Sequence, residues 1–84
     1  MIRVLLFAQL ADLANTREAE LECSEASICL NELVKQVAAR FPALTASLAQ
    51  PGLLFLAINQ QQAGPDDLVK DGDEVAIMPP FSGG

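Results

Sequence analysis

Leu30-Asn-Glu-Leu-Val-Lys-Gln-Val-Ala-Ala-Arg-Phe41 decides how the rest of this chain must fold. Leu30, Leu33, Val34, Val37, Ala38 and Phe41 fall at i, i+3, i+4, i+7, i+8 and i+11, a single apolar stripe along an α-helix. Ser24 or Ser27 is placed to cap its start, because a serine oxygen can accept from the free N–H groups of the first turn. Pro42 ends it, since the residue before a proline is pushed out of the helical region. This is the one long helical pattern among 84 residues. A helix with one apolar stripe needs a surface to lie on, and the flanking segments read as a sheet.

Upstream, Ile2-Arg-Val-Leu-Leu-Phe-Ala8 is nearly all apolar and predicts a strand buried on both faces. Residues 9–18 carry turn and short-helix signals, with the bend at Asn15-Thr16, where asparagine tolerates the left-handed conformation. Ala19-Glu-Leu-Glu-Cys23 alternates with period two and predicts a half-exposed strand forming a hairpin with the first. Downstream, Leu53-Leu-Phe-Leu-Ala-Ile58 reads as a second doubly buried strand, and Asn59 to Pro65 as a polar connection. Leu68-Val69 is a minimal strand. Asp71-Gly72-Asp73 is a tight turn, glycine admitting positive φ, and it launches the strand Glu74-Val-Ala-Ile-Met78. Pro79-Pro80 stops that strand, having no N–H to offer a ladder.

Five strands and one helix in this length fit a single mixed sheet with the helix across one face. The expected class is α+β, the β-grasp or ubiquitin-like arrangement, with the first and last strands central. Residues 1–80 form the β-grasp domain, and residues 81–84 a flexible C-terminal diglycine tail. The second face of the sheet is left partly bare. Hydrophobic residues make up 51% of the chain, more than so small a body can hide. Either exposed apolar surface meets a partner, or the chain is merely rich in core alanine and leucine.

The charge balance is −6, from eleven acids against five bases. With no basic cluster, nucleic-acid binding lacks its phosphate-neutralising charge. An acidic body suits a partner with a basic docking surface, although acidity also serves solubility alone. The opening residues lack the long apolar core of a signal peptide, and no apolar run approaches a membrane span. The expectation is a soluble, cytoplasmic protein with no membrane or nucleic-acid partner.

Histidine is absent from the chain. Neither a Ser-His-Asp nor a Cys-His device can be assembled, and no metal site is expected. Cys23 and Cys29 are six positions apart, matching neither a zinc pair nor a redox CxxC. Cys29 falls in the first turn of the helix, where a thiol can become reactive; two ordinary buried cysteines are the alternative. The acids fall in turns and on polar faces, so the chain is not expected to be an enzyme on its own.

Two terminal glycines arise by chance roughly once in 200 chains, glycine being about 7% of average sequence. Here they follow a rigid Pro-Pro stop. Two residues without side chains form the thinnest peptide available, able to thread a narrow channel. Pro79 and Pro80 fix the exit direction, Phe81 supplies an apolar anchor, and Ser82 leads into Gly83-Gly84. The reactive group is then the α-carboxylate of Gly84. Joined to AMP it becomes a mixed anhydride, which a sulfur donor converts to a thiocarboxylate or a lysine to an isopeptide. The residues alone leave both uses open.

The chain resembles the small, sulfur-carrier subunits of molybdopterin synthase. The likeness runs from Ile2-Arg-Val-Leu-Leu-Phe-Ala8 and Leu10-Ala-Asp-Leu13, through Ala57-Ile-Asn-Gln60 and Leu68-Val-Lys-Asp-Gly-Asp-Glu-Val-Ala76, to Pro79-Pro-Phe-Ser-Gly-Gly84. The most specific part is Asp-Gly-Asp-Glu-Val followed by Pro-Pro-x-x-Gly-Gly. Ala11 stands where the family often has arginine, and Asn15 where it often has glycine. The resemblance implies activation of Gly84 by an E1-like adenylyltransferase that uses ATP, no cofactor being bound by this chain. It further implies insertion of the thiocarboxylated tail into a large catalytic subunit, within a heterotetramer of two small and two large subunits. There the tail would give its sulfur to cyclic pyranopterin monophosphate, forming the molybdopterin dithiolene in two carrier turnovers. Phe7, Met78, Pro79, Pro80, Phe81 and Ser82 are the expected partner-binding residues; for Phe7 and Met78 plain core packing is the alternative. A carrier for thiamine thiazole synthesis and a ubiquitin-like protein modifier share the tail and remain alternatives.

Overall fold

The computed structural model describes residues 1–23 and 26–79. The elements in chain order are β1 (Ile2–Leu6), α1 (Gln9–Ala14), β2 (Glu18–Leu21), β3 (Ser27–Cys29), α2 (Leu30–Arg40), β4 (Phe55–Ile58), β5 (Gln61–Ala63), β6 (Leu68–Lys70) and β7 (Glu74–Met78). Two short 3₁₀ turns, Pro42–Leu44 and Pro51–Leu53, link α2 to β4. The main sheet has five strands in the order β2-β1-β7-β4-β5, and β3 and β6 form a separate two-stranded ribbon. In the main sheet only β1 and β7 run parallel, with Val4 opposite Val75 and Leu6 opposite Ile77. This is the mixed-sheet β-grasp, with the first and last strands at its centre.

The helix does what its stripe requires. Leu30, Leu33, Val34 and Val37 are buried, and Ala38 and Phe41 pack at the margin. They meet Ile2, Val4 and Leu6 of β1, Val75 and Ile77 of β7, and Leu56 of β4 in one core cluster. Leu10, Leu44, Leu48 and Val69 close its ends. The helix stops before Pro42, as expected, with the Phe41 N–H donating to the Val37 carbonyl at 2.9 Å.

Its start differs from expectation. Ser27 lies in β3 and caps nothing, and Ser24 falls outside the described residues. The Leu30 N–H donates to the Asp67 carbonyl and the Asn31 N–H to the Pro65 carbonyl, both at 2.9 Å. A neighbouring loop therefore satisfies groups that a cap would otherwise serve. That loop is held by Asp67, whose Oδ2 accepts from the Gly64 N–H at 2.7 Å. Cys29 ends β3 immediately before the helix; it and Cys23 are half-buried and joined in no disulfide, and β2 ends at Leu21 rather than at Cys23.

Three strand expectations are corrected. Gln61–Ala63, read as polar connection, is the fifth strand of the sheet. It forms because Asn59 and Gln60, with φ of 50° and 71°, make a two-residue turn of the mirror-image type that matches strand twist. Leu68–Lys70, expected in the main sheet, pairs instead with Ser27–Cys29. And β1 and β4 are buried on one face only: Arg3 and Phe55 are exposed while Val4 and Leu56 are buried. The length of apolar sequence overstated the number of covered faces.

The turn residues behave as their chemistry dictates. Asn15 takes the left-handed conformation (φ 59°, ψ 32°) at the end of α1, and Gly72 sits at φ 92°. No described helix is long and apolar enough to cross a membrane.

The two faces can be told apart by stability. Replacing Ile77 with alanine is expected to cost about 2–5 kcal/mol, the range for truncating a core aliphatic. Ala76→Ser, one residue away on the other face, should change it by less than about 0.5 kcal/mol. Urea unfolding followed by circular dichroism measures both.

Candidate functional site

Side chains alternate along a strand, so the residues not facing α2 share the opposite face of the sheet. On β1 these are Arg3 and Leu5, followed by Phe7 just past the strand; on β7 they are Glu74, Ala76 and Met78; on β4, Phe55 and Ala57. The registers place them in rows. Glu18, Leu5, Ala76, Ala57 and Gln62 are successive partners across all five strands. One step towards the C-terminal end of β7, Phe55 lies opposite Met78, and Phe7 follows the Leu6–Ile77 pair. One step the other way are Glu20, Arg3 and Glu74.

The open face is thus divided along its length. The end at which β7 runs into Pro79 is apolar, with Phe7 and Phe55 each 43% exposed and Met78 half-buried between them. Core packing therefore does not account for Phe7. The other end is charged. Arg3 makes a paired contact with Glu18, Nε to Oε1 at 2.8 Å and a terminal nitrogen to Oε2 at 3.0 Å, and reaches Glu74 at 3.8 Å. The hydrogen bond from Arg3 holds the Glu18 carboxyl below its ordinary value and raises Arg3 in turn.

Of the expected partner-binding residues, Phe7, Met78 and Pro79 are brought together at the apolar end of this face. Pro80, Phe81, Ser82, Gly83 and Gly84 lie outside the described residues. Leu5, Phe55, Ala57 and Ala76 join the face without having been singled out from sequence. The signal that could have found them is period two: Phe55 is one residue from Leu56, and only one of such neighbours can face the helix. Among the described residues no group of acids or thiols is placed to hold a metal ion.

The Asp71-Gly72-Asp73-Glu74 segment has a different task. Asp73 Oδ2 accepts from the Lys70 N–H and Oδ1 from the Asn59 side-chain amide, both at 3.0 Å. Asn59 exchanges bonds with Glu74, its N–H donating to the Glu74 carbonyl at 2.8 Å and its Oδ1 accepting from the Glu74 N–H at 3.0 Å. The Arg3 N–H reaches the Asp73 carbonyl at 3.0 Å, and the N-terminal ammonium pairs with Asp71. Three segments meet at this corner, at the opposite end of β7 from the tail. The corner fixes where β7 begins, and so where it ends.

The ThiS family model matches residues 4–84. The chain belongs to the ThiS family. A relative of this ThiS-family chain in Chlamydomonas reinhardtii is 38% identical over 85 residues, covering 99% of this chain and 98% of the relative. One in Escherichia coli strain K12 is 36% identical over 84 residues, covering both chains completely. Both are named molybdopterin synthase sulfur carrier subunit. Among solved structures, SAMP1 from Haloferax volcanii superposes with a TM-score of 0.84, covering 99% of this chain and 98% of its own at 24% identity, a likeness of fold.

The bonds from Lys70 and Asn59 hold the Asp73 carboxyl below its ordinary value. Its ionised form therefore favours the folded state above the ordinary carboxylate pKa, and that contribution is lost as pH falls through the lowered one. Asp73→Asn is expected to flatten the acid side of the stability profile while leaving the neutral side shallow, as read by unfolding midpoints between about pH 2 and 7.

Proposed function

We propose that this chain is the sulfur-carrier subunit of a molybdopterin synthase. The observation that carries the reading is the full-length match to two relatives bearing that name, joined to a sheet whose central strand leads to the diglycine segment beside an exposed apolar face. The body, residues 1–80, presents the segment 81–84, and the chemistry resides in the α-carboxylate of Gly84 with Gly83 before it.

A carboxylate is a poor acyl donor and must be activated before sulfur can replace its oxygen. The carboxylate oxygen attacks the α-phosphorus of ATP on an E1-like adenylyltransferase, releasing pyrophosphate and leaving the acyl-adenylate. A sulfur nucleophile then displaces AMP, and the C–O bond to phosphate becomes a C–S bond. The resulting thiocarboxylate delivers its sulfur to cyclic pyranopterin monophosphate within the large subunit, and two carriers are consumed for one dithiolene. This chain binds no cofactor and acts as a carrier, the acids and bases of the reaction belonging to the large subunit. The complex is a heterotetramer in the cytoplasm.

Phe7, Met78 and Pro79, with Phe55 beside them, form the docking surface, and Pro80, Phe81 and Ser82 contact the same partner. A partly exposed aromatic pair flanking a methionine has the composition of an interface centre. Contact there holds the body while the two glycines, which have no side chains to obstruct them, enter the partner's active site.

Intact mass after incubation with ATP, the cognate adenylyltransferase and a sulfur donor tests the reading. The C-terminal peptide is expected to gain the oxygen-to-sulfur mass difference, and a chain lacking Gly84 to gain nothing; an unchanged wild-type mass refutes it. Adding the large subunit and the pyranopterin precursor separates this pathway from thiazole synthesis, and high-mass conjugates in extracts would instead mark a protein modifier. Phe7→Asp is expected to weaken the complex with the large subunit by about tenfold or more, as for an interface-centre aromatic, with little change in the unfolding midpoint. Isothermal titration and thermal melts check the two halves.

A further inference from the structure

Beside the open face, where β1 hands over to α1 and β2 begins, lies a groove whose lining includes Leu5, Phe7, Ala8, Asp12, Arg17 and Glu18. Leu5, Phe7 and Glu18 belong to both the groove and the open face, so the two surfaces are continuous.

On a chain of net charge −6, the groove offers a guanidinium with no carboxylate engaged, alongside the exposed carboxylate of Asp12. Glu18 lines the same groove, but both its oxygens are taken by Arg3. Among the described residues Arg17 makes no ion pair and no side-chain hydrogen bond; only its backbone carbonyl is used, accepting from the Leu6 N–H at 2.9 Å. The residue is exposed.

The backbone of the groove is strained as well. Ala8 has φ 52° and ψ −130°, a region that glycine reaches freely and alanine enters only with strain. Ala8 is exposed, so its methyl group gains no core packing in return. Its carbonyl accepts from the Ala11 and Asp12 N–H groups, which starts α1 but needs no side chain at position 8. Strain of this kind is concentrated at sites that bind or switch.

We infer that this groove is a second contact element for the large subunit, resting on the carrier reading above. It takes an acidic side chain of that subunit on Arg17 and an apolar one against Phe7 and the Ala8 methyl. The partner's chemistry follows from what is left unsatisfied: a carboxylate for the uncommitted guanidinium, whose planar fork suits paired bonds to it, a hydrogen-bond donor for the Asp12 carboxylate beside it, and an apolar group for the Phe7 side. The groove then sets which partner is accepted, and the adjoining apolar face contributes most of the affinity.

The test is titration of the wild-type chain, Arg17→Gln, Arg17→Lys and Ala8→Gly against the purified large subunit, at about 50 and about 500 mM NaCl, salts that bracket strong and weak screening. Arg17→Gln is expected to weaken binding about tenfold at low salt and to lose most of the salt dependence, with Arg17→Lys recovering part of both. Ala8→Gly is expected to bind about two- to fivefold more weakly, as a lost methyl contact would give, while melting no lower than wild type. Equal binding by wild type and Arg17→Gln at both salts overturns the inference and leaves the carrier reading standing. So does loss of activation by the adenylyltransferase alone, with large-subunit binding intact. Absence of any wild-type binding overturns both.

Discussion

A sheet has two faces, and among the described residues one helix is long enough to cover one of them. The eleven residues of α2 bury Leu30, Leu33, Val34 and Val37 against β1, β7 and β4, and the core is complete on that side. Among the described residues nothing of comparable length is left for the other side: Leu10 of α1 and Leu44 of the first 3₁₀ turn belong to the same core. The exposed Phe7 and Phe55 and the half-buried Met78 follow from that shortage of covering material. Apolar side chains on a central strand cannot be relocated without shifting the register, and a shift by one would turn the core outward. The open face is therefore tied to the closed one, and with it the surface assigned to partner contact.

The same constraint explains why polar corners are so heavily bonded. A small domain gains limited stability from burial, and the placement of β7 cannot rest on its apolar contacts alone, since those favour no particular end point. Asn59, Asp73 and Glu74 fix its start through directed hydrogen bonds, and the Asp-Gly-Asp-Glu segment is accordingly structural rather than chemical. A strand pinned at its first residue delivers its last at a set position. Pro79 then inherits a defined point of departure from a corner at the far end of the strand.

Much of this was legible in the residues. The stripe from Leu30 to Phe41, the hairpin of β1 and β2, the left-handed Asn15 and the positive φ of Gly72 all follow from local chemistry, and the structure has each. What was not legible depended on partners distant in sequence. Gln61-Gln62-Ala63 has no strand-forming composition; it is a strand because the Asn59-Gln60 turn lays it beside β4. Ser27–Cys29 looked like a helix start because nothing nearby announces its pairing with Leu68–Lys70, some forty positions on. Apolar runs misled about β1 and β4, since a residue can be apolar for a partner's sake as well as for the core's. That ambiguity hid Phe55 and Leu5 from the candidate site, while Arg17 and Ala8 gave no signal at all before the groove was formed.

The parallel pairing of β1 with β7 also governs the order in which the chain can assemble. Arg3 and Glu74 are neighbours in space and seventy-one positions apart in sequence. Closing so long a loop costs about 4 kcal/mol of chain entropy before any contact offsets it. The β1–β2 and β4–β5 hairpins and α2 require only short closures and can form early, but none has a finished core until β7 slides between β1 and β4. The centre of the sheet is thus the last part to be made, and the transition state for folding should carry most of the non-local order. Until that moment both flanks of the gap expose unpaired strand edges, which makes the interval before insertion the period of greatest vulnerability to aggregation.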